Sequence, residues 1–272
     1  MKRRPEMSLL VLGRIGLGAL RRATFWWSVG LGGVVAATIA FWPAFKGASG
    51  ISEAIGNLPA PIVEAFGLKD FGSPAGFLRG NLYELFVPLL YCLAGITLVN
   101  GQTAGDETSG RLELILAQPV ARRAVYLARM LACVVALGAI VLVTLVVQLG
   151  MDAVVGLSID TSLLTATVVL CGLLGLLHAS LAYAIACLRP RTSFVLGIAV
   201  AAMFAGYVVN ALFQLSTPLK PWRGISPWNW ALAGEPLERA SEPWRFAVLI
   251  ALSAGLIVLG TLVVRRRDVA AA

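Results

Sequence analysis

The chain is 272 residues long, 58% hydrophobic and only 13% charged, with a formal net charge of +8. Soluble domains carry about 25% charged residues, so the composition excludes a soluble globular protein and points to an all-α, polytopic membrane protein. The arginines punctuate apolar runs and form no basic face interleaved with aromatics, which argues against a nucleic-acid partner.

At the start, MKRRPEM is basic and RRATF at 21–25 superficially echoes a twin-arginine signal. The apolar run from Phe25 to Phe45 is nevertheless long enough to span a bilayer, and no A-x-A cleavage site follows it, so an uncleaved first membrane helix is expected. Ahead of it, residues 6–23 read as an amphipathic helix lying along the membrane surface. At 100° per residue Arg14 and Arg21 share one face, while Leu9, Leu12, Gly16 and Leu20 share the other.

Six segments reach the roughly 20 apolar residues that a bilayer core of about 30 Å requires: 24–44, 82–101, 124–149, 162–187, 194–215 and 244–264. They form a single transmembrane domain over 1–272. Residues 1–23, 102–123, 188–193 and 265–272 then share one side of the membrane; 45–81, 150–161 and 216–243 share the other. With Arg129 and Arg245, near the ends of their spans, counted to the side they adjoin, the first side holds fifteen Lys and Arg and the second seven, so the positive-inside rule puts both termini in the cytoplasm. Outside, the Gly- and Pro-rich stretch 46–80 reads as small helices on the outer leaflet or capping the bundle. Trp222, Trp228, Trp230 and Trp244 in the last external loop read as an interfacial aromatic belt.

Chemistry-bearing residues are sparse. Cys92, Cys133, Cys171 and Cys187 sit singly in apolar runs and read as packing residues. One histidine, His178, cannot make a bis-His haem or multi-His metal site, and with Ser180 on a different helix face no catalytic constellation forms. No catalytic residue and no metal ligand is therefore assigned. Polar residues in or near the spans are candidates for a pathway: Glu84, Asn100, Gln102, Gln148, Asp152, His178, Asn210 and Gln214. His178 lies deepest, and a neutral imidazole bonded to a neighbouring helix competes with a substrate ligand there.

The stretch ETSGRLELILAQPVARR, 107–123, interrupts two lipid-like runs. Together with Asp106 it carries six charges, which at about 3 kcal/mol each would cost about 18 kcal/mol at mid-bilayer. It is not a span, yet it has helical character. Glu107 and Arg111 are spaced i,i+4, Leu112, Ile115 and Leu116 make a short apolar face, and Asp106 or Ser109 can cap its start. Pro119 stops the helix at about Gln118, and Gly110 inside it costs about 1 kcal/mol, suggesting a kink, a frayed start or a close approach. Arg122 and Arg123 fall at the start of the next span, where the helix dipole disfavours cations, so lipid phosphates or a partner's acidic groups are expected there.

The run Glu107-x-x-Gly110-x-x-Glu113-x-x-Leu116-x-x-Pro119-x-x-Arg122 resembles the cytoplasmic loop between spans two and three of ABC-2-type permeases. The segment FGLKDFGSPAGFL at 66–78 is similar to the antibiotic-export and copper-enzyme-maturation subgroup. The resemblance implies a coupling helix at 107–118 that seats in a groove of an ATPase, with Glu107, Gly110, Leu112, Glu113, Leu116, Pro119 and Arg122 as its coupling residues. It further implies a bacterial cytoplasmic membrane, a second permease chain (identical or related), and export. No G-x-x-x-x-G-K-[ST] occurs, so this chain binds no cofactor of its own. ATP and Mg would be used by a separate nucleotide-binding subunit, present in two copies. An ion-coupled carrier and a non-transporting membrane scaffold remain as alternatives.

Overall fold

A computed structural model describes residues 9–46, 56–59, 62–63, 70, 72–112, 117–118 and 120–266. No strand occurs among them, and six helices are long and apolar enough to cross a membrane. They are α1 (Leu9–Ala40), α2 (Phe86–Asn100, carried on through a π turn, Gly101–Gly105, to Thr108), α3 (Arg122–Val155), α4 (Thr161–Leu188), α5 (Thr192–Leu212) and, after the short helix α6 (Pro227–Leu232), α7 (Pro243–Arg266). The all-α, six-span reading of the sequence holds.

Two boundaries differ from expectation. In place of a separate surface helix at 6–23, residues 9–40 form one unbroken helix of 32 residues, about 48 Å long against a bilayer core of about 30 Å. Leu12, Gly16 and Leu20, three residues of the expected apolar stripe, are buried, but by protein: α1 packs along α3. Gly16 makes that contact close, since a Cβ there would lie 3.1 Å from the Ala132 Cβ. A stripe that fits a lipid surface fits a neighbouring helix equally well.

The second span also begins earlier than 82. A helical run extends from Pro74 to Thr108, broken by a turn at Glu84 and Leu85. Ser73 caps its start by accepting from the Gly76 N–H at 3.0 Å, and Pro74 occupies the first turn, where a missing N–H costs nothing. Phe77, fully buried, is gripped by the rings of Trp42 and Phe45, each 5.2 Å away. Part of the expected outer loop is thus helix locked onto the end of α1. The expected pieces near 51–57 and 61–66 fall almost entirely outside the described residues.

The centre of the bundle is α4. Its most apolar stretch is 72% buried, against 33% for α1, 28% for α5 and 22% for α7, and it packs on α2, α3, α5 and α7. Lipid is as apolar as leucine, so such packing depends on close approach rather than on hydrophobic drive. The α2–α4 crossing supplies it: a Cβ on Gly95 would fall 2.8 Å from the Gly175 carbonyl oxygen, and one on Gly175 would fall 2.9 Å from the Tyr91 backbone. All four cysteines are buried and unpaired in disulfides, as packing residues should be.

On the far side, the aromatic belt is only partial. Trp222 and Trp244 are exposed, but Trp228 is fully buried. The Ser226 hydroxyl caps α6, accepting from the Trp228 N–H at 3.2 Å and donating to the Gly206 carbonyl at 2.6 Å. That turns the Trp228 indole onto Gly206 and Tyr207, whose ring centroid lies 5.2 Å away. The loop before α7 is therefore in part a cap built into the core.

Candidate functional site: a charged junction between α2 and α3

The end of α2 and the start of α3 meet on the side where α1 begins and α7 ends. A π-helical turn, Gly101–Gly105, interrupts α2 just before this end. Such a turn inserts an extra residue and re-aims the side chains beyond it. The Asp106 N–H bonds the Thr103 carbonyl, and the Gln102 carbonyl receives Arg129 Nη1 at 2.6 Å. Arg129 Nη2 lies 2.9 Å from Asp106 Oδ2. The next residue, Glu107, receives the Tyr126 hydroxyl on one oxygen and lies 3.4 Å from Arg122 Nη2 with the other.

Arg122, Tyr126 and Arg129 recur at i, i+4 and i+7, so they form one face of α3. The carboxylates that meet them are adjacent residues of α2. Side-chain exposure is 14% for Asp106, 22% for Glu107, 16% for Arg122 and 7% for Arg129, so water screens these pairs far less than surface ion pairs. The two links differ in completeness. Arg122 keeps Nε and Nη1 buried without a partner, while no Arg129 nitrogen is left so.

The expected coupling residues divide accordingly. Glu107 and Arg122 come together, and Glu107 supplies within the chain the acidic partner that was expected from lipid or a second protein. Arg111 pairs with Asp106 at 3.6 Å, one position before its expected partner Glu107. Gly110 has φ +73, a left-handed turn that only glycine adopts without strain. It breaks the helix expected across 107–118: α2 ends at Thr108, a turn covers Ser109 and Gly110, and helix resumes at Arg111. Leu112 is 1% exposed, so it anchors the segment into the bundle. Glu113, Leu116 and Pro119 lie outside the described residues. Asp106, Tyr126 and Arg129 were missed as a site. Their signal was present, in an arginine seven residues into the apolar run after Arg122, but its partner is visible only in three dimensions.

The candidate pathway residues do not form one line. His178 lies in the core, 2.9 Å from the Leu174 carbonyl and 3.4 Å from Cys92 Sγ. A carbonyl only accepts, so Nδ1 carries the proton and the ring is tied into helix packing. Asn210 and Gln214 instead join Arg79, Glu84, Lys220 and Arg223 around a cup of about 320 Å³ at the opposite end of the bundle. Arg223 Nε closes one wall of it, donating to the Asn210 carbonyl at 3.0 Å. Deeper in, the Tyr83 hydroxyl donates to Gln148 across α2 and α3. Among the described residues, no three His, Cys, Asp or Glu side chains converge as metal ligands.

An all-helical bundle of six membrane spans, with a charged loop tied to the ends of the second and third, defines a polytopic membrane protein. The family model of the ABC-2 family transporter proteins matches residues 37–269, and the chain belongs to that family. It is a membrane-embedded permease component of an ABC transporter, and members of the family normally pair with an ATP-binding subunit. No curated protein matches the chain.

Proposed function

We propose that this chain is half of the translocation path of an ATP-driven exporter and that the segment after Gly110 seats on a separate ATPase subunit. The bundle, one domain over 1–272, pairs with a second permease chain. Two copies of the ATPase subunit use ATP and Mg, and both termini lie in the cytoplasm of a bacterial cell, as the excess of Lys and Arg on that side favours. Closure of the ATPase pair moves the segment 111–118. The Asp106–Arg129 and Glu107–Arg122 links then carry that displacement into α2 and α3 as a unit. In energetic terms, nucleotide state biases a two-state membrane equilibrium through differential contacts at this segment.

The observation that carries this reading is the double link itself. A loop meant only to connect two spans has no need to bury two arginine–carboxylate pairs at its root. The test is purification of the tagged chain from its native membrane in mild detergent, with partners identified by mass spectrometry, for wild type and Glu113→Arg. A stoichiometric ATP-binding subunit that accompanies wild type and is depleted in the variant supports the proposal. If none accompanies wild type, the carrier and scaffold readings take its place.

A further inference from the structure

The largest groove described on the bundle lies away from the charged junction. Between α1 and α3 runs an open trough of about 1100 Å³, above the roughly 300–1,000 Å³ typical of drug-sized ligand pockets. It is lined by the small residues Gly18, Ser28, Gly32, Gly33, Ala136 and Ala139 and by the apolar side chains of Phe25, Val29, Val143 and Val147. Arg21 and Arg22 close one end. Arg14, two turns earlier on the face of Arg21, is exposed, and none of the three arginines has an ion-pair partner among the described residues. Ser28 is 9% exposed and its hydroxyl has no hydrogen-bond partner among the described residues, so the trough carries a polar group in its lining with nothing to bond.

We propose that this trough binds one anionic glycerophospholipid, its phosphate on Arg21 and Arg22 and its acyl chains laid toward Gly33 and Val147. The dimensions suit that occupant. From Arg22 to Gly33 is about 16 Å of helix, and one leaflet's hydrocarbon is about 15 Å deep. The charges meet the headgroup and the small residues meet the tails. The Ser28 hydroxyl lies about 9 Å along the helix from Arg22, within the depth of the acyl chains.

A second copy of the chain fits less well. A two-fold contact through this face would set the arginines of both copies against each other at one depth. A contact with α5 or α7 would meet no acidic residue, since neither helix contains one. The proposal requires only that the chain sits in a membrane, so it stands or falls separately from coupling to an ATPase.

The test is native mass spectrometry and thermal unfolding of the full chain, with whatever subunits accompany it, after delipidation and titration with phosphatidylglycerol, phosphatidylcholine or inorganic phosphate. Phosphatidylglycerol is expected to bind as a discrete adduct and raise the unfolding temperature by several degrees, with phosphatidylcholine far weaker. Arg21→Gln/Arg22→Gln should erase the difference between the two lipids. Gly33→Leu fills the trough while keeping the charges, and nothing lies within 4 Å of a Cβ there, so it should fold and lose the adduct. Equal response to both lipids, or an adduct unaffected by either variant, overturns the proposal. Equal stabilisation by inorganic phosphate makes the arginines a free-anion site and also overturns it. So does efficient disulfide cross-linking between two copies through Gly33→Cys, which would make the trough a protein interface.

Discussion

Helix α2 is held at two places by opposite means. In mid-membrane it crosses α4 where Gly95 and Gly175 leave no room for a side chain. At its end it is tied to α3 by two arginine–carboxylate links. A glycine crossing has a single fit, because backbone packed on backbone cannot re-register without opening a void. Ion pairs tolerate small rotations and exchange of partners. Under the coupling reading, the crossing is the pivot of α2 and the junction is its handle, and the softer link, Glu107–Arg122, lies nearer the loop that moves.

The comparison breaks first at Arg129. Arg129→Ala leaves Asp106 without its buried partner and should cost about 3–5 kcal/mol, read as thermal unfolding in detergent. Asp106→Leu/Arg129→Leu should recover most of that, since removing both charges removes the orphan. Equal loss in the single and double variants would mean that packing, not charge, holds the junction.

Next comes the pivot. Gly95→Ala forces its Cβ against the Gly175 carbonyl and should cost about 1–3 kcal/mol. Gly138→Ala in α3, where nothing lies within 4 Å of the new Cβ, should be neutral or slightly stabilising. If the two substitutions behave alike, the crossing is looser than its geometry indicates.

Smaller effects sharpen the distinction between the links. Glu107→Gln keeps an acceptor for the Tyr126 hydroxyl and removes only the charge, so it should cost about 1 kcal/mol in stability, yet reduce nucleotide-stimulated activity of the assembled complex. A double-mutant cycle with Tyr126→Phe should return a coupling energy of about 0.5 kcal/mol or more; additivity would remove Tyr126 from the junction.

The smallest effect lies outside the spans, at the start of α4. Donation from the Ser162 hydroxyl, and from the Ser162 and Leu163 N–H groups, holds the Asp160 carboxyl below its usual value. A carboxylate with a depressed folded pKa adds stability that is complete above its unfolded value of about 3.9 and is lost as pH falls through the folded value. Asp160→Asn should therefore flatten acid sensitivity below about pH 4 and leave stability near neutrality little changed. An unaltered acid limb would show that the cap contributes nothing.

Much of this was legible in the sequence because length and hydropathy act locally. A run such as LACVVALGAIVLVTLVV has no other stable arrangement than a helix in lipid, and the six spans follow from that. The family suggested by the run from Glu107 to Arg122 was legible too, and it is the family whose model matches the chain. What was misread depended on partners. The stripe Leu12–Gly16–Leu20 gave no sign of whether lipid or α3 would cover it, and Trp228 looked like its exposed neighbours until Gly206 received it.

By itself, then, the sequence determined the number of spans, their class and the one charged interruption, since each follows from the free energy of moving a short segment between water and lipid. Only the tertiary structure decided which charges meet. Asp106 and Arg129 stand 23 residues apart in the chain and 2.9 Å apart in space. Their pairing depends on a π turn in α2 and on the rotation of α3 about its axis, neither of which any local pattern encodes. The same holds for the close crossing of Gly95 and Gly175, where the sequence offers two small residues among many and packing alone chooses them.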